Sequence, residues 1–225
     1  MKILVTGAKG FIGKNLIAEL RNRKYTEIFE YDRDTDLSLL DEYCKETDFV
    51  FHLAGINRPK EQSEFMEGNF GFTSDLLDSL KKNNNICPVM ISSSIQAELD
   101  NPYGESKKAG EDLLFSYGEE TGSKVLVYRF PNVFGKWCRP NYNSAVATFC
   151  HNIAHDMPIQ VNDPSVEMNL AYIDDVVSEL INTLEGKENK VDSFCEVPVV
   201  HTITLGEIVD LIHSFKKSRE DRSVP

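Results

Sequence analysis

The sequence has few of the features that mark secreted, membrane-spanning or metal-binding proteins. It has no apolar run near the ~20 residues that a transmembrane helix requires, and no Cys-x-x-Cys pair or internal repeat. Its five cysteines are odd in number and widely spaced, which favours reduced thiols over a disulfide framework or a zinc site. No charged leader with a cleavage site opens the chain, so we expect a cytoplasmic protein.

Positive charge is also scarce. There are 24 lysines and arginines against 36 acidic residues, a formal net charge of −12. This balance argues against general electrostatic binding to nucleic acid or to an anionic membrane. It does not exclude a phosphorylated ligand, which helix dipoles and a few local cations can hold. With 225 residues, of which 41% are hydrophobic, the chain is long enough for one sizeable α/β core and a small lobe.

Three glycines separate the first short apolar segment from an amphipathic pattern. Residues 2–6 are typical of a buried parallel strand, and the glycines follow at a Gly-x-x-Gly-x-x-Gly spacing. Such a loop allows a tight turn and a close approach of pyrophosphate to the backbone, next to free N–H groups of a helix. The alternative is a glycine-rich loop without a ligand. We expect a dinucleotide to contact Gly7, Gly10, Phe11, Ile12 and Gly13.

A second strand is predicted over residues 27–31, and it leads to Asp32 and Arg33. An acid at this place hydrogen-bonds the adenosine ribose and favours NAD, whereas a neighbouring arginine can bind the 2′-phosphate of NADP. We favour NADPH because the guanidinium of Arg33 can make a bidentate phosphate contact. NAD stays the alternative, as does a surface role for both residues. Asp36 and Leu37 are predicted to contact the adenine edge.

The next strand, predicted over residues 48–53, ends in small side chains that suit the passage of a cofactor across the sheet edge. His52 is interpreted as an ordinary strand residue, since no metal-binding partner stands at a suitable spacing. Arg58 follows and is expected near phosphate. The cofactor set predicted from these strand ends is Leu53, Ala54, Gly55, Ser92 and Phe130.

A proton-transfer site is predicted where Ser94, Tyr103 and Lys107 come together. A strand over residues 88–92 delivers three serines to the sheet edge, and Asn101-Pro102 is typical of a helix start. Tyr103 and Lys107, four residues apart, then share one helix face, where the ammonium is expected to lower the pKa of the phenol. The alternative is an ordinary half-buried tyrosine beside a solvated lysine. Asn69 is predicted to open a separate helix.

These motifs, together with Arg129-x-x-Asn132 and residues 172–175, resemble the extended short-chain dehydrogenase/reductase family, or NAD-dependent epimerase/dehydratase family, over residues 1–215. Within it the chain is similar to the reductase domain of bifunctional bacterial capsular-polysaccharide enzymes, in which a zinc-binding cupin domain follows. The resemblance implies a Rossmann-type doubly wound parallel sheet to about residue 135, a substrate-binding lobe mainly over 136–215, and a linker or tail over 216–225.

The resemblance also implies a reaction. NADPH, or NADH, would reduce the 4-ketone of UDP-2-acetamido-2,6-dideoxy-4-hexulose to an L-talose-type sugar. Tyr103 would donate the proton, Lys107 would assist it and bind the nicotinamide ribose, Ser94 would hold the carbonyl and Asn69 would support Lys107. The substrate contacts implied are Arg58, Ser94, Ile95, Gln96, Asn132, Lys136 and Arg139.

Two features depart from many relatives. Only nine residues lead from Ser94 to Tyr103, and Met168 stands where an arginine often binds the diphosphate, so Lys136 or Arg139 is expected to replace it. A 4,6-dehydratase is excluded because Ile95-Gln96 replaces its acid/base pair. A nucleotide-sugar 4-epimerase with tightly bound NAD and a non-catalytic NAD(P)-sensing protein stay as alternatives.

A homodimer is also expected, paired through the helix that carries Tyr103 and the helix that begins near Asn69. Family members commonly associate in this way. Four apolar positions on these helices exceed what one sheet face requires and weakly favour this arrangement: Phe72, Leu76, Leu113 and Tyr117.

Overall fold

The computed structural model of the protein describes residues 1–222. The strands are β1 (Ile3–Thr6), β2 (Ile28–Tyr31), β3 (Phe49–His52), β4 (Val89–Ser94), β5 (Val125–Phe130), β6 (Asn132–Phe134), β7 (Glu167–Tyr172), β8 (Lys190–Val191), β9 (Phe194–Cys195) and β10 (His201–Thr204). The helices are α1 (Phe11–Asn22), α2 (Ser38–Glu46), α3 (Ser63–Phe65), α4 (Phe72–Lys82), α5 (Pro102–Thr121), α6 (Ala145–Ala154), α7 (Ile173–Asn182) and α8 (Leu205–Asp221). The chain forms two compact units.

Unit 1 comprises Met1–Phe130 and Val177–Pro198 and contains a seven-stranded sheet in the order β2-β1-β3-β4-β5-β9-β8. All neighbours are parallel except β8 and β9. Strands β1 and β3 are buried along their whole length, as expected for central strands of a parallel sheet covered by helices. The predicted Rossmann-type α/β fold is confirmed. Strand order reverses between β1 and β3, the place where ligands bind in such sheets.

Unit 2 comprises Pro131–Val176 and Val199–Pro225. Its three strands lie in the order β10-β7-β6, with β7 antiparallel to β10 and parallel to β6. A second core forms around Phe149, Ile153, Leu170 and Ile208, and Met168 packs against it. The methionine therefore serves packing within this unit. None of the helices in residues 1–222 is long and apolar enough to span a bilayer.

Several boundaries differ from the sequence predictions. Residues 159–161 form no strand, because Ile159 and Val161 pack against the second core without pairing to a neighbour. Strands β8 and β9 are each two residues long and were not predicted. Asn69 does not open a helix, since it lies within a π-helical turn, Met66–Gly71, that connects α3 to α4.

The last helix is longer than predicted. We expected it to end at Phe215 and a polar linker to begin at Lys216, but α8 continues to Asp221. The Lys216 ammonium donates to the carbonyl of Ile153 at 2.8 Å and pairs with Asp156, which holds this part of α8 against the end of α6. The last part of the predicted tail, residues 223–225, lies outside the described residues.

The apolar positions that favoured a dimer in the sequence belong to the core of unit 1. Leu76 and Tyr117 are buried, with 0% and 2% exposure. Phe72 and Leu113 are partly buried and pack against the same core. These four residues are therefore not in excess of what the chain itself uses, and they no longer support the dimer prediction.

Candidate active site

The glycine-rich loop between β1 and α1 has the shape that a dinucleotide requires. Gly7 has φ +67°, and a β-carbon built there would lie 2.7 Å from the Ala54 nitrogen and 2.8 Å from the Leu53 oxygen, so only glycine fits. No described side chain caps α1 at Gly10, and its first turn carries no acidic residue. The first N–H groups of this helix, from Phe11 onward, therefore remain available to an anion such as pyrophosphate.

Asp32 is held toward this loop. Its Oδ2 accepts from the backbone N–H of Lys9 at 2.7 Å, and its Oδ1 accepts from the backbone N–H of Arg33 at 2.9 Å. The side chain of Arg33 is exposed, and the ammonium of Lys9 pairs with Asp34. Lys9 was not predicted to take part in this loop, although its place between the glycines was a usable signal.

The remaining predicted cofactor residues lie at the ends of strands or just beyond them. Asp36 Oδ1 accepts from the N–H and hydroxyl of Ser38, at 2.9 and 2.8 Å, so this carboxylate closes the turn before α2. Leu37 beside it is 81% exposed. An adenine contact here stays a prediction. The others follow β3 or lie in β4 and β5: Leu53, Ala54, Gly55, Ser92 and Phe130.

The predicted catalytic side chains come together at the end of β4. Asn101 Oδ1 accepts from the N–H of Gly104 at 2.9 Å, which confirms the predicted cap of α5. Ser94 ends β4, and its hydroxyl, which accepts from the Gln96 N–H at 3.2 Å, interacts with the phenol of Tyr103. The Lys107 ammonium donates to the carbonyl of Ser92 at 3.0 Å and lies 6.0 Å from the centroid of the Tyr103 ring.

The protonation of this pair differs from the sequence expectation. Burial raises the pKa of Tyr103 above its ordinary value, while the hydrogen bond with Ser94 opposes this shift. Burial lowers the pKa of Lys107 to about 8, against the opposing charge of Glu111. The expected lowering of the Tyr103 pKa is therefore wrong for this arrangement, because desolvation of the phenol dominates and the ammonium is directed to Ser92.

Asn69 lies beside Lys107. Its amide nitrogen donates to the Ile56 carbonyl at 3.0 Å and to the Ser106 hydroxyl at 2.9 Å, while its oxygen accepts from the Ile56 N–H at 2.8 Å. A β-carbon built at Gly55 would lie 2.8 Å from Asn69 Oδ1 and 3.0 Å from Lys107 Nζ. The backbone after β3 thus contacts the glycine loop at Ala54 and the predicted catalytic lysine at Gly55.

The predicted substrate residues divide between the two units. In unit 1, Ile95 and Gln96 are exposed in a 3₁₀ turn directly after Ser94, and Arg58 is exposed after β3. In unit 2, the Asn132 side chain donates to the carbonyl of Asn169 at 3.4 Å. Lys136 pairs with Asp174 at 2.7 Å, and the guanidinium of Arg139 lies 5.5 Å from the ring centroid of Tyr142.

A buried ion pair supports the same part of unit 1 and was not predicted. Glu111, only 1% exposed, accepts from Arg129 at 2.9 and 2.7 Å and from the Ser93 hydroxyl at 2.5 Å. The guanidinium also lies 3.8 Å from the ring centroid of Phe194. These contacts join α5 to β4, β5 and β9. Sequence spacing cannot reveal them, since each partner belongs to a different element.

Within residues 1–222 there is no group of three or more His, Cys, Asp or Glu side chains arranged to hold a metal ion. The rings of His151 and His155 lie 4.4 Å apart and tilted at the end of α6, where the His155 ring is hydrogen-bonded to the His151 carbonyl at 2.7 Å.

The chain is similar to proteins that act on nucleotide sugars. The model of the NAD dependent epimerase/dehydratase family matches residues 3–193. A UDP-2-acetamido-2,6-beta-L-arabino-hexul-4-ose reductase from Pseudomonas aeruginosa is 47% identical over 98% of this chain. The crystal structure of the capsular polysaccharide assembling protein CapF from Staphylococcus aureus matches all of the chain with TM-score 0.92 and 50% identity.

More distant structures share the fold alone. A UDP-glucuronic acid 4-epimerase from Bacillus cereus, solved in complex with NAD, has TM-score 0.85 and 21% identity over 96% of this chain and 85% of its own. The chain spans only 59% of the Pseudomonas reductase and 61% of CapF.

Proposed function

Since this chain belongs to the NAD dependent epimerase/dehydratase family, we propose that it reduces a UDP-linked 4-keto-6-deoxy amino sugar with a nicotinamide cofactor. The proposal depends on the close contacts that the short segment after β3 makes on two sides. Its Ala54 nitrogen lies against Gly7 of the glycine loop, and its Gly55 lies against Lys107 of the catalytic helix. One strand end therefore joins a dinucleotide-shaped loop to an acid–base site.

The substrate class is inferred from the reductase that is 47% identical to this chain. We infer a UDP-2-acetamido-2,6-dideoxy-4-hexulose, converted to an L-talose-type sugar for a capsular or other surface polysaccharide. A cytoplasmic location fits such precursor synthesis. The zinc-binding cupin domain of the bifunctional relatives stays a prediction.

In the proposed reaction the cofactor supplies the hydride when bound. Tyr103 donates its phenolic proton to the sugar oxygen, and its raised pKa keeps that proton in place at neutral pH. Ser94, which interacts with this phenol, orients the carbonyl. Lys107 binds the nicotinamide ribose, and Asn69 fixes the backbone beside it.

We propose NADPH over NADH. Arg33 is exposed directly after β2 and can approach a 2′-phosphate, and the two oxygens of Asp32 already accept backbone N–H groups. Those hydrogen bonds offset part of the repulsion that this carboxylate would exert on a phosphate. For the sugar diphosphate, Lys136 or Arg139 stays the proposed cation.

The test is turnover of NADPH and NADH with a panel of 4-keto UDP-sugars. The proposal expects net oxidation of NADPH and conversion of the 4-ketone to a 4-hydroxyl group. Interconversion of two UDP-sugars without net consumption of added cofactor would instead favour the 4-epimerase. A preparation that binds the dinucleotides but transforms none of the sugars would leave only the sensing alternative.

Tyr103→Phe tests the assignment of the proton donor, because it removes one hydroxyl and keeps the ring. We expect turnover to fall by at least ~10²-fold with cofactor affinity nearly unchanged, since general acid catalysis contributes on that scale. Turnover near the wild-type rate would contradict the assignment of the proton donor.

A further inference from the structure

A chain of hydrogen bonds crosses the core of unit 1 where β1 and β3 end. The Thr6 hydroxyl lies 2.7 Å from His52 Nδ1, and His52 Nε2 lies 2.9 Å from the Thr73 hydroxyl. Thr6 is 0% exposed, and His52 and Thr73 are each 1% exposed. Buried polar groups destabilise a core unless they are paired, whereas apolar side chains of similar size would fill this space freely. The polar chain therefore requires a reason beyond packing.

The direction of each hydrogen bond follows from the two ends. The Thr73 hydroxyl donates to the carbonyl of Asn69 at 2.6 Å, so its oxygen accepts from His52 Nε2–H. Nδ1 of the neutral ring then accepts from the Thr6 hydroxyl, whose oxygen accepts from the Ala54 N–H at 3.3 Å. Burial lowers the pKa of His52 to about 3, which keeps the ring neutral. The chain thus runs from the Ala54 N–H to the Asn69 carbonyl.

The hydroxyl at one end of this series and the side chain of Asn69 at its other end hold the same backbone segment, residues 54–56. Ala54 is bound at one end, and the side chain of Asn69 binds both the N–H and the carbonyl of Ile56 at the other. Between them Gly55 faces Lys107, since a β-carbon built at Gly55 would lie 3.0 Å from the ammonium nitrogen. The three residues form the backbone wall beside the catalytic lysine.

We propose that His52 is a positioning residue, which through Thr6 and Thr73 holds residues 54–56 against Lys107 and keeps the cofactor site in its binding geometry. The inference rests on the proposed function, because the cofactor beside Lys107 belongs to that proposal. His52 acts through its neighbours and the backbone, not by touching a reactant. Loss of these hydrogen bonds should increase the mobility of residues 54–56 before it unfolds the core. Binding sites depend on such preorganised backbone.

Three variants interrupt this series of hydrogen bonds in different ways. Thr73→Val removes the hydroxyl that accepts from His52. His52→Phe removes both ring partners, and His52→Gln keeps a donor close to the place of Nε2. The control is Thr47→Val, because Thr47 is 3% exposed and its hydroxyl accepts from the Leu4 N–H at 3.1 Å, at the opposite end of β1. It removes a comparable buried hydroxyl without touching the proposed chain.

Two readouts are measured: amide hydrogen exchange at Ala54 and Ile56 in the ligand-free protein, and NADPH affinity by titration. For Thr73→Val and His52→Phe we expect about tenfold faster exchange at both amides and about tenfold weaker NADPH binding, a change of ~1.4 kcal/mol. His52→Gln should lie between these variants and the wild type. Thr47→Val should leave both readouts unchanged although it lowers the unfolding midpoint.

Wild-type exchange at both amides in Thr73→Val would overturn the inference, and so would equal effects of Thr73→Val and Thr47→Val. If His52→Phe does not fold, Thr73→Val and His52→Gln decide the outcome. Failure of the proposed function is recognised by a different measurement: the wild-type protein would bind neither NADPH nor NADH, or would oxidise no NADPH with the 4-keto UDP-sugars. The exchange data on the ligand-free protein would then still decide whether His52 holds residues 54–56.

Discussion

Replacing Gly104 with alanine tests whether the short path from Ser94 to Tyr103 sets the geometry of the site. Gly104 lies in the first turn of α5, directly after Tyr103, and a β-carbon built there would overlap the backbone oxygens of Gln96 and Leu99. Both oxygens belong to the connection that begins at Ser94. Backbone atoms cannot rotate away as a side chain does, so α5 and this connection must separate.

The sign of the change in the free energy of unfolding distinguishes this steric overlap from an effect of helix propensity. At an unobstructed helix position Gly→Ala stabilises by about 0.5–1 kcal/mol. Overpacking of a close contact costs about 1–3 kcal/mol, so Gly104→Ala should destabilise the protein. Gly110→Ala on the same helix is the control, because its nearest contacts would be the Asn69 oxygen at 3.4 Å and the Ile91 side chain at 3.6 Å. It should be neutral or stabilising.

Urea unfolding measures the two free energies, and single-turnover kinetics measures the chemical step. Displacement of Ser94 from Tyr103 should slow that step by up to ~10²-fold in Gly104→Ala, as misplacement by about an ångström does elsewhere. Gly110→Ala should keep the wild-type rate. A Gly104→Ala protein with wild-type stability and rate would refute the view that this close packing positions the site.

Three further predictions follow from the site and its surface. Because the pKa of Lys107 is lowered from 10.5 to about 8, the unfolded chain binds more protons than the folded one between those values, so stability rises with pH there. Lys107→Met should therefore be more stable than wild type at neutral pH, with an advantage that shrinks from pH of about 8 to 10.5; a constant difference in urea unfolding would contradict this. Arg33→Ala should weaken NADPH binding by ~1.5–3 kcal/mol and scarcely alter NADH binding, since only NADPH carries the phosphate; equal losses in titrations would instead assign the choice to Asp32. Light scattering should find the homodimer that the family resemblance implies, and a monomer at high concentration would exclude it.

The parts of the fold and site that follow local rules were predictable. The glycine spacing after β1 and the Asn101-Pro102 start of α5 each depend on the backbone of a few adjacent residues. The sequence could therefore locate Tyr103 and Lys107 on one helix face and Ser94 at a strand end. It could not give the direction in which the pKa of Tyr103 shifts, because the burial of this side chain depends on elements that are distant in the chain.

Elements with little local signal were missed for a related reason. A strand of two residues, such as β8 or β9, has no periodicity of its own and exists through pairing with a neighbour. The end of α8 was misplaced because its polar composition suggested a linker, whereas Lys216 stabilises the helix through Ile153 and Asp156 in another element. Composition describes a residue's preference for solvent but not which partner the fold supplies.

His52 shows which signal was nevertheless available. It was interpreted as an ordinary strand residue because no metal-binding partner stands at a suitable spacing, and its hydrogen-bond partners are 46 and 21 residues away. Yet β1 and β3 are both short buried strands that end in a polar residue, and in the parallel register Thr6 stands opposite His52. A polar group at the end of a buried strand must find a partner on a neighbouring element. Two such ends on adjacent parallel strands predict a hydrogen bond between them, at the sheet edge where the cofactor is proposed to bind.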